Sequence, residues 1–311
     1  MRMRTVGASG LSVSALGLGT RNFGSEVSPE DCAELVRLFV ESGGTLIDTA
    51  PAYGDGAAEE ILGRELANFR REEVTLCGKA GLHRTDDGWR ADTSRRGLLD
   101  QLDETLSRLR VEHLDLWLVH VWRDDPALAE TLSALEFAVT SGRARYAGVA
   151  NYTGWQLASA AAPLAAVRTP AVAVQARYHL LDRSVEADLL PAAAHHGVGL
   201  LAWAPLAGGV LTGKYLRSVP AASRASSADH QQWAQRWMRY ADGPVVKALD
   251  TAATGLGVSP AQVALAWVRD RPGVAAGIVG ARTVTQLRTT LASDRLDIPS
   301  AVRAALDEVS G

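Results

Sequence analysis

Lysine is almost missing from this chain: of 32 basic residues only Lys79, Lys214 and Lys247 are lysines, and the other 29 are arginines. A lysine that stands against such a bias is a candidate for work that arginine cannot do, such as sitting as a compact point charge beside a phenol. Cysteine is as sparse, with only Cys32 and Cys77 in 311 residues. That excludes a disulfide framework and a thiolate metal site, and Cys77, inside an apolar run, reads as a buried inert thiol. No His-Glu-x-x-His motif occurs, and His195 and His196, adjacent on a helix, are expected to point in different directions, so no metal site is expected. There is little surplus charge: 35 acidic residues against 32 basic leave a net charge of −3. Without a block of like charge the chain lacks the electrostatic footprint for nucleic acid or an acidic membrane surface, and a small-molecule partner is expected. No apolar stretch of about 18 or more residues is found and no apolar h-region follows the N-terminus, so a cytoplasmic location is expected.

What the chain does have is the 47% hydrophobic and 22% charged balance of a globular protein. Eight short aliphatic or β-branched runs, at 15–19, 45–49, 74–79, 114–120, 145–150, 171–175, 199–203 and 275–280, alternate with longer amphipathic stretches. The latter include 29–41, 93–109, 126–141 and 260–269, with Pro, Asp, Ser or Thr at or near several starts, as helix caps require. This rhythm predicts one (β/α)8 barrel over residues 1–311, a single α/β domain. Ahead of it, Thr5-Val6 and Leu11-Ser12-Val13 flank Gly7-Ala8-Ser9-Gly10 and predict a β-hairpin that closes the barrel floor. After the seventh strand, the segment 208–243 is too long for an ordinary connection and is a candidate functional loop. Its Trp233 and Trp237 are four apart and would share a helix face, which is expected to pack on the barrel wall, with a substrate lid as the alternative.

In such a barrel the active site lies at the C-terminal ends of the strands. There the second strand ends in Asp48 and runs on to Tyr53, the third ends in Lys79 and the fourth in His120. A tyrosine whose pKa of about 10 is lowered by a nearby ammonium can serve as a general acid. Asp48 would hold Lys79, and His120 would hydrogen-bond and orient a substrate oxygen. Singly, a loop tyrosine is usually packing and an Asp after a strand is often a helix cap. Four such residues at successive strand ends make a proton-donor site. Phe23, Trp89 and Trp122, at or near strand-end loops, are the candidate substrate contacts, Trp122 first among them because it lies two residues beyond His120.

These residues carry a resemblance. The segment Gly43-Gly44-Thr45-Leu46-Ile47-Asp48-Thr49-Ala50-Pro51-Ala52-Tyr53-Gly54, with Glu59-Glu60-Ile61-Leu62-Gly63 after it, resembles the signature of the aldo-keto reductase superfamily. Leu114-Asp115-Leu116-Trp117-Leu118-Val119-His120, the run from Gly142 to Asn151, Val174-Gln175, and the run from Pro205 to Tyr215 are similar, in order, to its later strand motifs. Ser223-Arg224-Ala225-Ser226 resembles the potassium channel β subunits of the same superfamily. The resemblance implies a catalytic tetrad of Asp48, Tyr53, Lys79 and His120, with Tyr53 and His120 also touching substrate. It implies an NADPH-dependent reduction of an aldehyde or ketone, by a protein that is usually monomeric.

It also implies a cofactor held without a Rossmann fold, which agrees with Gly17-Leu18-Gly19-Thr20-Arg21-Asn22, where Asn22 fills the place of the fingerprint's third glycine. The implied contacts for NADP(H) are Gly19, Thr20, Arg21 and Asp48 at the first two strand ends. Asn151 and Gln175 would meet the carboxamide, and Trp203 would stack on the nicotinamide. Ala204, Pro205, Leu206, Gly208, Leu211, Lys214 and Arg224 would wrap the pyrophosphate, and Gly280, Arg282, Gln286 and Thr290 would meet the adenosine end. Arg282, at a helix N-terminus, suits the 2′-phosphate. Two departures from the family pattern, Ala150 for serine and Thr290 for Asn or Glu, bear on affinity more than on chemistry. Two other uses of the barrel stay open at this level: a cofactor-sensing binding protein, as with the channel subunits, and an enzyme that oxidises, epimerises or dehydrates a sugar.

Overall fold

A closed sheet sends every second side chain of each strand into the barrel and the alternate ones toward the helices. The computed structural model describes residues 1–85, 88–125, 128–216, 218–220, 223 and 236–311. At its start β1 (Met3–Thr5) and β2 (Ser12–Ser14) pair antiparallel, Met3 opposite Ser14 and Thr5 opposite Ser12. The barrel then takes β3 (Leu16–Gly19), β4 (Leu46–Asp48) and β5 (Thr75–Ala80). A second hairpin, β6 (Leu82–Thr85) and β7 (Gly88–Ala91), rises from the end of β5. The barrel resumes with β8 (Leu114–Val119), β9 (Ala144–Ala150), β10 (Ala171–Arg177), β11 (Gly199–Trp203) and β12 (Val274–Val279), and closes where β12 pairs β3. All eight barrel strands are parallel neighbours in chain order, so the fold is a (β/α)8 barrel, and its strands fall on the eight apolar runs of the sequence.

The ring of helices is α1 (Pro29–Glu41), α2 (Ala57–Glu65), α3 (Arg95–Leu109), α4 (Leu128–Thr140), α5 (Gly154–Ala166), α6 (Leu189–His196), α7 (Pro244–Leu256), α8 (Pro260–Arg269), α9 (Val284–Ala292) and α10 (Ser300–Ser310). Their starts follow the sequence signals. The hydroxyls of Ser28, Ser94, Ser259 and Thr283 accept hydrogen bonds from the amides of Asp31, Gly97, Gln262 and Gln286, satisfying donors that a helix leaves open. The cap at Ser94 is why α3 begins at Arg95 and not at Thr93.

Inside the barrel Leu46, Cys77, Leu116, Leu118, Ala173, Leu201 and Ile278 pack together with Val6, Leu11 and Val13 from the first hairpin and its turn. The hairpin therefore does close the floor, with its strands a residue or two further from the turn than the sequence suggested. Gly7 makes that closure possible: its φ is +57°, and a Cβ there would lie 2.2 Å from the Gly197 carbonyl oxygen. The alternate side chains, among them Leu18, Ile47, Leu76, Trp117, Val119 and Val174, form the outer core against the helices. The floor and this inner layer leave the opposite, C-terminal end of the barrel to polar side chains.

The second hairpin was not anticipated, although Asp87-Gly88 is a strong hairpin dipeptide in the sequence. The eighth barrel strand is followed by two helices, α9 and α10, and among the described residues both α7 and α8 follow the seventh. His195 and His196 do not diverge; their rings meet edge to face, 4.9 Å apart, at the end of α6. Among the described residues no three His, Cys, Asp or Glu side chains group as metal ligands, and no helix is long and apolar enough to cross a membrane.

Candidate active site

The alternation that builds the inner core also aims the polar residues above it. Asp48 stands two beyond Leu46, Lys79 two beyond Cys77, His120 two beyond Leu118, Gln175 two beyond Ala173 and Trp203 two beyond Leu201, so all five share the inward face. At the barrel mouth they converge.

Lys79 is fully buried, and its Nζ donates to both carboxylate oxygens of Asp48 at 2.7 Å, to the Thr49 carbonyl at 3.1 Å and to the Tyr53 hydroxyl at 3.4 Å. Burial by itself would lower the ammonium's pKa, but the Asp48 carboxylate outweighs it and the net shift is upward. Tyr53 hangs over this pair from the loop after β4, its ring edge-on to His120 with centroids 6.2 Å apart. Its phenol departs from the sequence expectation. The Lys79 charge does push its pKa down, yet burial pushes up more strongly, and the result lies above the ordinary tyrosine value. The ammonium limits a rise that desolvation would make larger, and at neutral pH the phenol carries its proton.

His120 is held by its backbone, whose N–H donates to Ala80 at 2.8 Å and whose carbonyl accepts from Asn151 Nδ2 at 2.9 Å. Burial, and then the charges of Lys79 and Arg21, lower its pKa to about 3, so the imidazole is neutral. Its Nδ1 is buried without a hydrogen-bond partner. The tautomer with the proton on Nε2 leaves only a lone pair unmatched there and offers one N–H to a ligand at the mouth.

The amides flanking the mouth are engaged within the protein. Gln175 Nε2 donates to Asp48 Oδ2 at 2.6 Å, and Trp203 Nε1 donates to Asn151 Oδ1 at 3.0 Å. Asn151 lies in the left-handed region at φ 59°, which turns its side chain back across the strand end. Thr20 is buried, its hydroxyl spent on the Asp48 carbonyl and Thr49 Oγ1, and Gly19 is buried beside it.

After β11 the chain turns repeatedly through positive φ, at Ala204, Ala207, Gly208, Gly209 and Gly213. Within this run Leu206 is half-buried, while Pro205 and Leu211 are buried. Such a run orients successive N–H groups into a concavity that suits anions. Lys214 lies over it, for a Cβ on Gly209 would sit 3.0 Å from its Nζ. Opposite, Gly280 abuts Asn22, and Arg282 faces Glu26 at 3.7 Å. The Arg282 backbone N–H donates to Gln286 Oε1 at 3.0 Å, and Thr290 is buried with its hydroxyl donating to the Gln286 carbonyl. Arg224 and Trp233 lie outside the described residues. Trp237 is buried, edge-on to His179 at 4.6 Å.

Of the nominated substrate contacts, Phe23 is a correction: it is fully buried in the outer core and has no surface to offer a ligand. Its position in a strand-end loop was informative, but its apolar ring is taken up by the outer core. Trp89 stands 54% exposed on β7 beside Arg84. Trp122 is partly buried, edge-on to Tyr152 and Trp155 at 5.1 Å, with its N–H on Asp124 at 2.8 Å. One group at the mouth was missed. Arg177 lies two beyond Gln175, forks onto Asp182 at 2.7 Å and places its guanidinium 5.5 Å from the Trp203 ring and 5.2 Å from that of Trp237. Strand periodicity continued past Gln175 would have found it.

The Glu59 to Gly63 stretch, part of the family resemblance, packs α2 against α3. Glu59 is buried, accepts from Arg108 Nε at 2.7 Å and Thr105 Oγ1 at 2.9 Å, and four residues on a Cβ at Gly63 would strike the Arg108 carbonyl. It locks α2 to α3 under the Tyr53 loop.

A carboxylate, ammonium, phenol and neutral imidazole gathered at the mouth of a (β/α)8 barrel describe an oxidoreductase, and comparison with known proteins agrees. The Aldo/keto reductase family matches residues 15–310, and the chain belongs to that family. It is similar to the uncharacterized oxidoreductase YrpG of Bacillus subtilis (strain 168), at 33% identity over 324 residues that cover 99% of this chain and 96% of the relative.

Proposed function

We propose that this oxidoreductase reduces an aldehyde or ketone to the alcohol with NADPH, and that Tyr53 is the proton donor. The observation that carries the reading is the Tyr53 hydroxyl 3.4 Å from a buried ammonium that is itself fixed on Asp48. The residues at the mouth fit a dinucleotide. The positive-φ turns from Ala204 to Gly213 and Lys214 suit a pyrophosphate, Arg282 beside the N-terminus of α9 suits a 2′-phosphate, and Trp203 offers a flat face. Gln175 and Asn151 can meet a carboxamide once they exchange partners with Asp48 and Trp203. When bound, the nicotinamide supplies the hydride that goes to the carbonyl carbon.

The protein's own part is the proton. His120 Nε2–H orients the carbonyl oxygen toward the phenol, and Tyr53 gives its proton to that oxygen as negative charge develops there. The tyrosinate left behind is stabilised by the Lys79 ammonium, whose position Asp48 holds, and takes a proton back from solvent. A phenol with a raised pKa stays protonated until the oxygen demands the proton, and the ammonium keeps the donor from becoming too weak an acid.

The test is Tyr53→Phe, which keeps the ring and removes the donor. Turnover on a good aldehyde should fall about 10² to 10⁴-fold, the usual worth of general acid catalysis, with little change in NADPH affinity. If the variant keeps most of the turnover, Tyr53 is not the donor.

A further inference from the structure

Arg21 follows Thr20, whose amide and hydroxyl bond to the Asp48 carbonyl at 3.0 and 3.1 Å. The backbone that carries it is thus clamped to the segment running from Asp48 to Tyr53, and the two loops touch again where a Cβ on Gly54 would lie 3.2 Å from the Phe23 carbonyl. Other cations at the mouth have partners: Lys79 has Asp48, Arg177 has Asp182 and Arg282 has Glu26. Arg21 is exposed, and among the described residues no hydrogen bond, ion pair or ring stack engages its guanidinium. Its charge nevertheless reaches the centre, where it acts on both Tyr53 and His120. Beyond the Lys79–Asp48 pair, Arg21 thus adds a further positive charge felt by the proton donor.

We propose that Arg21, which the family resemblance implies as a cofactor contact, instead binds an anionic group of the substrate, a carboxylate set a few ångströms from the reacting carbonyl, and so selects acidic carbonyl compounds over neutral ones. The proposal rests on the reductase reading and adds a substrate class to it. An arginine is suited to this task because its planar fork meets a carboxylate with two parallel hydrogen bonds, and a neutral aldehyde leaves that fork to water. Its place at the end of β3, the strand paired with the β4 that leads to Tyr53, brings it to the side of the mouth where the phenol stands.

The experiment compares 4-carboxybenzaldehyde with benzaldehyde, which share a ring and a reacting carbonyl, in the wild type, Arg21→Gln and Arg21→Lys. The wild type should favour the acid, mainly through KM, and Arg21→Gln should shrink the ratio of the two kcat/KM values by about tenfold, the worth of one charge-assisted contact. Arg21→Lys should restore part of it, and added salt should narrow the wild-type ratio. An equal loss for both aldehydes, or a weakened NADPH dissociation constant in Arg21→Gln, would overturn the proposal and place the arginine on the cofactor. Binding of 4-(hydroxymethyl)benzoate against benzyl alcohol, followed by tryptophan fluorescence, separates the two readings. If neither aldehyde is reduced but the acid still binds through Arg21, only the reductase reading fails. If the acid binds no better than the alcohol, the substrate class is wrong.

Discussion

Asp48→Asn isolates the charge that makes Lys79 tolerable. The ammonium is fully buried and both of its contacts to Asp48 are 2.7 Å. At about 3 Å and an effective dielectric constant of about 20, the attraction is on the order of 5 kcal/mol. Much of it offsets desolvation, but removing one partner of a buried pair leaves the other uncompensated, which typically costs about 3 to 5 kcal/mol. That is a large share of a stability of about 5 to 15 kcal/mol. Asparagine keeps the shape and an oxygen for Lys79, so the loss reports charge and not a cavity. It should also depend on pH with a definite sign. In the wild type the Lys79 pKa is raised, so its contribution is present below the unfolded lysine value and is lost only above it. Without the carboxylate, burial alone acts and the folded pKa falls below the unfolded value of about 10.4, so stability should rise with pH between the two. The gap between wild type and variant should therefore narrow from pH 7 toward pH 10. Urea unfolding at several pH values, with Lys79→Met and the double variant completing a cycle, reads all of this. The double variant should be more stable than Asp48→Asn alone. A loss under about 1 kcal/mol, the worth of an exposed pair, or a double variant no better than the single, would refute the argument.

Arg282→Ala should weaken NADPH binding about 10 to 100-fold and leave NADH nearly as it was, since a charge-assisted hydrogen bond is worth about 1.5 to 3 kcal/mol; a parallel loss for both would place Arg282 elsewhere. Because Glu26 faces Arg282 at 3.7 Å, Glu26→Gln should shift the two dissociation constants the other way, toward NADPH. His120 and His179 are both buried and both lowered to about 3, so the unfolded chain takes up protons on them below about pH 6.5 while the folded chain does not. Stability should fall as pH drops, by about 2 kcal/mol for each histidine between pH 6.5 and 5, before the carboxylates of Asp182, Glu186 and Asp270 contribute. Urea midpoints over that range should show half the slope in His179→Phe, and a flat wild-type profile would contradict the burial of both rings.

Local pattern was enough to read the barrel and to choose the residues at its mouth. Period-two runs separated by capped helices allow few arrangements, and the same period that puts Leu46, Cys77 and Leu118 inside places Asp48, Lys79 and His120 above them. Contacts set by strand register and by the crossing of loops were beyond that pattern. Whether Phe23 would face a ligand or the core depends on how its loop folds onto the outer core, and whether Arg177 would reach Trp203 depends on the pairing of β10 with β11. The sense of the Tyr53 shift was equally out of reach. The sequence determines that a lysine and a tyrosine meet, but how much solvent they keep belongs to the assembled mouth, where desolvation of the phenol outweighs the charge beside it.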